Sequence, residues 1–329
     1  MSYLNTLLKD KLPDSSEIEI HLFEFCNLSC AFCGQDHDST VGMSRDSIME
    51  KAALVNAFIK NNNTDSHIIN IMGGEIFNDE ISDDMFELYH EFYKAIYKPN
   101  VRFNWVTNLV FNKNKRVKQF IDNHPNSFIS TSYDFSGRGM NLERSLLFET
   151  NLKVFKGDIK VIGFVLTRPA IKKILTKTDR LFEHLYDNYH LYFDYYVPEL
   201  SAEKMMPSEQ QILDVMLFIA DKYPKVSPIK DLLENDTNKM TCYSLNKLTL
   251  LPDNREVKCR YIDYEEDVFE TKIDYSNNDA IIQSHLDRAG CFECKWFDKC
   301  QFRCFVQADY AKLERLDVCL FKTFFDKTQ

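Results

Sequence analysis

Cys26-Asn27-Leu28-Ser29-Cys30-Ala31-Phe32-Cys33 is the stretch on which the reading of this chain turns. It places three thiols in one short loop. Directly before it, Ile18 to Phe23 (IEIHLF) has the length and the branched apolar residues of a strand. Three thiolates can hold three corners of a four-iron cubane and leave one iron open, whereas a structural zinc site takes four protein ligands. No further Cys or well-spaced His follows closely. His21 lies within the strand and reads as structural, and His37 flanks the loop.

Working outward, strand-like and helix-like patterns alternate. Ser44 can cap a helix whose inner face uses Ile48, Ala52, Val55 and Ile59. His67 to Met72 is a second strand, followed by a helix capped at Ser82 with Met85, Leu88, Tyr89, Phe92 and Ile96 at helical spacing. Further strands are expected at Val101 to Thr107, Phe128 to Ser132, Lys160 to Leu166 and Leu191 to Val197. Helices are expected to end near Asn123, to run from Leu142 to Val154 and from Thr178 to Tyr186, and to close the region from Ser208 to Tyr223. This alternation predicts an α/β fold, a parallel sheet with right-handed crossovers curled into a partial (β/α)6 barrel. The chemistry of such barrels sits on the loops after the C-terminal ends of the strands. The expected division is a barrel over 1–223, a linker over 224–238 and a small cysteine-rich module over 239–329.

Composition narrows the function classes. The formal net charge is −10, so a general grip on nucleic-acid phosphates is not expected. The one basic run, Lys113 to Lys118, reads as the solvated face of a helix whose apolar stripe is Val117, Phe120 and Ile121. The N-terminus carries charges inside its short apolar stretch and no cleavage site, and no run approaches the ~20 apolar residues that cross a bilayer. A cytoplasmic protein with no membrane partner is the expectation. Its ten cysteines should then be thiols or metal ligands.

A second chemical feature ends the second strand: Met72-Gly73-Gly74-Glu75, where two glycines allow close backbone approach and a carboxylate can accept from an ammonium group. A tight strand-to-helix turn is the plainer reading. Together with the cysteine loop, it resembles the radical S-adenosylmethionine (SAM) superfamily, including the aromatic residue before the last Cys. The resemblance implies that Cys26, Cys30 and Cys33 hold a 4Fe-4S cluster whose open iron binds SAM. Gly73, Gly74 and Glu75 would meet the methionine amino group. Thr107-Asn108 resembles the family's TNG with Leu109 in place of Gly. Ser132-Tyr133-Asp134 resembles its S-x-D segment, and Arg144 falls where an Arg commonly meets the SAM carboxylate. Ser132 and Arg144 read equally well as a cap and a surface ion pair.

The remaining cysteines are Cys242, Cys259, Cys291, Cys294, Cys300, Cys304 and Cys319. Seven thiols exceed one tetrahedral site. Spacing alone leaves zinc open, because CxxC pairs serve both metals. The C-x2-C-x5-C-x3-C core, with an upstream pair and a trailing Cys, resembles the SPASM domain. That implies two auxiliary iron–sulfur clusters, one on Cys291, Cys294, Cys300 and Cys319, the other on Cys242, Cys259 and Cys304 with a fourth ligand not evident. Where the family has Gly five residues before the second Cys, this chain has Asn254, a residue that tolerates a left-handed backbone.

The resemblance implies cleavage of SAM to a 5′-deoxyadenosyl radical that abstracts hydrogen from a peptide or protein, with an external donor of flavodoxin or ferredoxin type. Only 25 residues precede Cys26, so a separate leader-peptide-binding protein is the expectation where a leader is read. A small-molecule dehydrogenase or epimerase is the alternative, and a cysteine-rich metal scaffold or electron carrier is the non-enzyme reading. Asp194, Tyr195 and Tyr196, at the end of the sixth strand, are candidate cavity residues, and Arg260 and Asp263, just past Cys259, are candidate proton-handling groups or substrate anchors; each reads first as structural.

Overall fold

The computed structural model describes residues 15–62, 64–134, 138–197, 203–234, 247–257, 286–300, 307 and 314–329. Six strands follow the expected alternation: β1 (Ser15–His21), β2 (Ser66–Met72), β3 (Val101–Thr107), β4 (Ser127–Ser132), β5 (Ile159–Leu166) and β6 (Leu191–Tyr195). They pair in parallel in sequence order and curl into a partial barrel. Alternating burial along β1 and β2 aims Ile18, Ile20, Ile69 and Ile71 into the core.

The crossovers are α1 (Arg45–Asn61), α2 (Asp83–Ile96), α3 (Asn114–Asp122) and α4 (Leu142–Val154). Ser44 caps α1 by accepting the Ser47 N–H at 3.2 Å, and Ile48, Ala52, Val55 and Ile59 face inward as expected. Ser82 stands at the start of α2 without a side-chain bond. Asp83 and Asp84 fill that first turn instead and favour the helix dipole. On α3 the apolar stripe is buried while Arg116 pairs with Glu87 at 3.0 Å, so the basic run is an outer face.

Two helices join β5 to β6. The second, α6 (Arg180–Asn188), was expected, whereas α5 (Arg168–Thr176) was not. Pro169 lies in its first turn, where a proline costs no helical hydrogen bond, and Thr167 caps it through the Ala170 N–H.

Helix α7 (Glu209–Lys222) begins with a Ser208–Gln211 capping box. The stretch expected to be a linker is packed over much of its length. Ser227 bonds through its backbone to Leu191 and Phe193, and α8 (Ile229–Glu234) buries Ile229 and Leu232. β7 (Lys247–Leu250) then adds to the free edge of β1 in parallel, and β8 (Glu256–Val257) returns antiparallel to it. The last helix, α9 (Leu320–Thr328), buries Leu320, Phe321, Phe324 and Phe325 and packs on α7. Each such side chain contributes about 2 kcal/mol when fully buried. Buried Glu209 accepts the Leu316 N–H at 2.7 Å and fixes the approach to α9. Among the described residues no helix is long and apolar enough to cross a membrane.

Candidate functional site

The cysteine loop leaves the C-terminal end of β1, where barrel chemistry is expected. The backbone leading to it, Phe23 to Phe25, lies against Gly73 and Gly74. Gly74 N–H donates to Phe23 O at 2.8 Å and Glu75 N–H to Phe25 O at 3.0 Å. A Cβ on Gly74 would stand 2.2 Å from both Glu24 O and Phe25 O, so glycine is demanded by contact between the two loops. Cys26 N–H donates to His37 O at 2.9 Å, closing the far side of the loop.

Glu75 is fully buried at the meeting of these loops. Its Oε1 accepts from Thr107 Oγ1 at 2.6 Å and from Phe77 N–H at 2.9 Å, and its Oε2 accepts from Asn108 N–H at 2.5 Å. Burial pushes the Glu75 carboxyl up, while these three bonds and the charge of Arg138 pull it back. Asn108 in turn donates from Nδ2 to Asn27 Oδ1 at 2.8 Å, inside the cysteine loop. Leu109, standing where the resemblance expects glycine, is nonetheless left-handed at φ 59°. Buried Asn151 holds that turn from α4 by donating to Leu109 O and Phe111 O at 3.0 and 2.8 Å.

The arginine among these residues is Arg138, not Arg144. Arg138 is 2% exposed and donates to Ser132 O and to Asn108 O, each at 2.7 Å, and its Cζ lies 5.3 Å from the Phe148 ring centre. Burial works against its charge, and Cys30, Glu75, Asp134 and Cys26 favour it. Arg144 sits in the first turn of α4, its main-chain N–H donating to the Asn141 side chain at 2.9 Å. Sequence reading missed Arg138 because a count along the chain cannot show which arginine a loop folds inward. Ser132 thus joins the site through its carbonyl. A cavity of about 260 Å³ opens beside the guanidinium, lined in part by Tyr133, Asp134, Met140 and Phe148.

Burial raises the Cys26 thiol to about 12 and the Cys30 thiol to about 11, with the Leu28 N–H and the Arg138 charge respectively opposing. Coordination by a metal deprotonates such thiols outright. Gln35, also missed, links the two loops: its Nε2 donates to Gly73 O at 3.2 Å and its Oε1 lies 3.5 Å from Cys33 Sγ. Among the described residues no three His, Cys, Asp or Glu side chains converge on one metal ion. Three thiols on one loop, flanked by a buried cation, fit the separate corners of a cluster by the chemistry of their donors.

In the C-terminal region, Cys291, Cys294 and Cys300 lie on successive turns. Trp296 between them stacks on Phe325 of α9 at 5.3 Å and donates to Asp326 at 2.8 Å. Cys319 is the residue preceding α9, and none of the seven described cysteines is in a disulfide. Cys242, Cys259 and Cys304, with Arg260 and Asp263, lie outside the described residues. Asp194 is exposed, Tyr195 donates to the Met216 sulfur at 3.6 Å, and the Tyr196 carbonyl accepts from buried Gln307 at 3.0 Å.

No protein-family profile and no curated protein matches the sequence. Solved structures do match in fold. Native anSMEcpe with bound AdoMet is similar over 95% of both chains, with a TM-score of 0.68 at 16% identity. The same protein with bound AdoMet and Cp18Cys peptide gives 0.66 at 15% identity over 95% of both chains. Streptococcus suis SuiB bound to precursor peptide SuiA gives 0.59 at 14% identity, over 96% of this chain and 78% of that one. At such identities the likeness establishes the fold alone: this chain shares the overall fold of those solved proteins along nearly all of its length.

Proposed function

We propose that this chain is a radical SAM enzyme that modifies a peptide or protein. Cys26, Cys30 and Cys33 would hold a 4Fe-4S cluster, with SAM bound beside Gly73, Gly74, Glu75, Asn108 and Ser132. Once bound, the cluster would supply one electron to SAM, whose cleavage gives methionine and the 5′-deoxyadenosyl radical that takes hydrogen from the substrate. The chain's own residues orient and enclose. Glu75 locks the second and third strand ends together, leaving backbone groups of Gly73 to Glu75 to meet an ammonium. Arg138 places a fixed positive charge, shielded from water, beside Cys30.

The observation that carries this reading is Arg138. One buried guanidinium joins the loops after β3 and β4 and stands beside the cysteine loop. An electron carrier has no need to gather those loops around a cation. Peptide as substrate is supported by the fold shared with proteins solved with bound peptides. The seven C-terminal cysteines would hold two auxiliary clusters, which can accept an electron or anchor substrate. A flavodoxin- or ferredoxin-type donor, a separate leader-peptide-binding protein and a cytoplasmic location belong to the same reading. Anaerobic reconstitution, iron counting and a 5′-deoxyadenosine assay with SAM and dithionite test it; iron binding without SAM cleavage would reject the enzyme reading.

A further inference from the structure

The hairpin that begins the cysteine-rich region is docked onto the exit of the first cysteine loop. β7 extends the barrel sheet at β1, with Ile20 opposite Leu250, and the turn after it arrives level with Leu22. There Gly42, at φ 92°, brings the chain leaving the cysteine loop into contact with that turn. A Cβ on Gly42 would stand 2.1 Å from Leu22 O and 2.7 Å from Pro252 O. Three backbones meet with no room for a side chain.

Beside this contact stands Lys51, fully buried on α1. Its Nζ donates to Pro252 O at 2.8 Å, to Ser47 Oγ at 3.2 Å and to Asn254 Oδ1. Ser47 Oγ also reaches Asn254 Oδ1, at 3.0 Å, and Asn254 Nδ2 donates to Glu50. Asn254 is left-handed at φ 68°, the place where the SPASM resemblance expects glycine. The asparagine therefore does more than tolerate the turn, because its side chain is the acceptor that Lys51 grips.

A buried ammonium is a poor way to gain stability. Removing it from water is costly, and an apolar side chain of similar volume often serves as well. What it adds is direction: three N–H bonds aimed at three oxygens fix one register and no other.

We propose that Lys51 is a positioning residue that sets the 251–254 turn against the exit of the Cys26–Cys33 loop, and so fixes where the chain running on to Cys259 begins relative to the first cluster. The consequence for the clusters rests on the function proposed above, whereas the docking itself does not.

The test uses the full chain with Lys51→Met, Asn254→Gly and the pair combined. Amide hydrogen exchange is read on the iron-free protein and electron paramagnetic resonance on the reconstituted, reduced protein. Lys51→Met is expected to speed exchange of 251–257 at least tenfold while amides of 45–61 stay within twofold. Asn254→Gly should do the same alone and add less than twofold to Lys51→Met, since both remove one interaction. It also stands in if Lys51→Met does not fold. Unchanged exchange at 251–257, or a rise spread equally over β1 and α1, would overturn the docking role. Faster exchange with an unchanged resonance spectrum would overturn the consequence for the clusters. If the parent chain binds no iron, the proposed function fails and the exchange result still decides the docking.

Discussion

Glu75 accepts the main-chain N–H of Asn108 at 2.5 Å, and the carbonyl of the same Asn108 accepts from Arg138 at 2.7 Å. A single peptide segment is thus held from one side by a buried anion and from the other by a buried cation. The two charges also favour each other directly, and because both grip the end of β3 the order of that loop depends on both.

Replacing Glu75 should therefore act through the fold as well as through any ligand. Glu75→Ala leaves the Asn108 and Phe77 N–H groups buried without an acceptor and is expected to cost about 3–5 kcal/mol. Glu75→Gln keeps one oxygen and should cost less. Urea unfolding of the metal-free chains gives the order, and a Gln variant at least as unstable as the Ala variant would contradict it.

Arg138 and Arg144 separate the local geometry from the family spacing. Arg138→Met is expected to lower 5′-deoxyadenosine formation at least about 100-fold, from loss of a buried charge-assisted contact of about 3 kcal/mol. Arg144→Met should stay within threefold. Parallel assays of the two reconstituted variants decide it, and the opposite pattern would return the role to Arg144.

Asn151 holds two carbonyls of the left-handed turn at Leu109. Asn151→Leu leaves both buried and unpaired and is expected to destabilise by about 2–3 kcal/mol. Chemical denaturation of variant and parent checks this, and a loss below 0.5 kcal/mol would show that the turn is held by packing alone.

Two buried histidines predict acid sensitivity. Burial lowers His67, with Lys98 adding to it, and lowers His124, with His90 and Lys94 adding and its bond to Phe120 O opposing. Below pH 6.5 the unfolded chain takes up protons that the folded chain refuses. Stability is full above that pH and is lost as pH falls toward the lowered values, by at most about 1.4 kcal/mol per unit for each histidine. Urea midpoints at pH 7.5 and 5.5 measure it; equal midpoints would contradict the burial effect.

The barrel was legible because its strands and helices carry their periodicity locally: Ile48, Ala52, Val55 and Ile59 mark one face whatever surrounds them. The cysteine loop and Gly73 to Glu75 were legible for a similar reason, each being a short run with its own chemistry. Arg138, Gln35 and Lys51 were not. Their roles depend on partners far along the chain, such as Asn108 for Arg138 and Pro252 for Lys51. The span expected as a linker gave no signal because Ser227 is held by backbone bonds to β6, which no side-chain pattern reports. Helix α5 is short and carries Pro169 in its first turn, where a residue that usually breaks helices costs no hydrogen bond, so local pattern does not announce it.

The most direct test of the account is SAM cleavage by the anaerobically reconstituted chain, compared with a variant carrying Ala at Cys26, Cys30 and Cys33. The account predicts 5′-deoxyadenosine from the parent and none above background from the variant, with about four fewer irons bound. Cleavage by the variant at the parent's rate would contradict it.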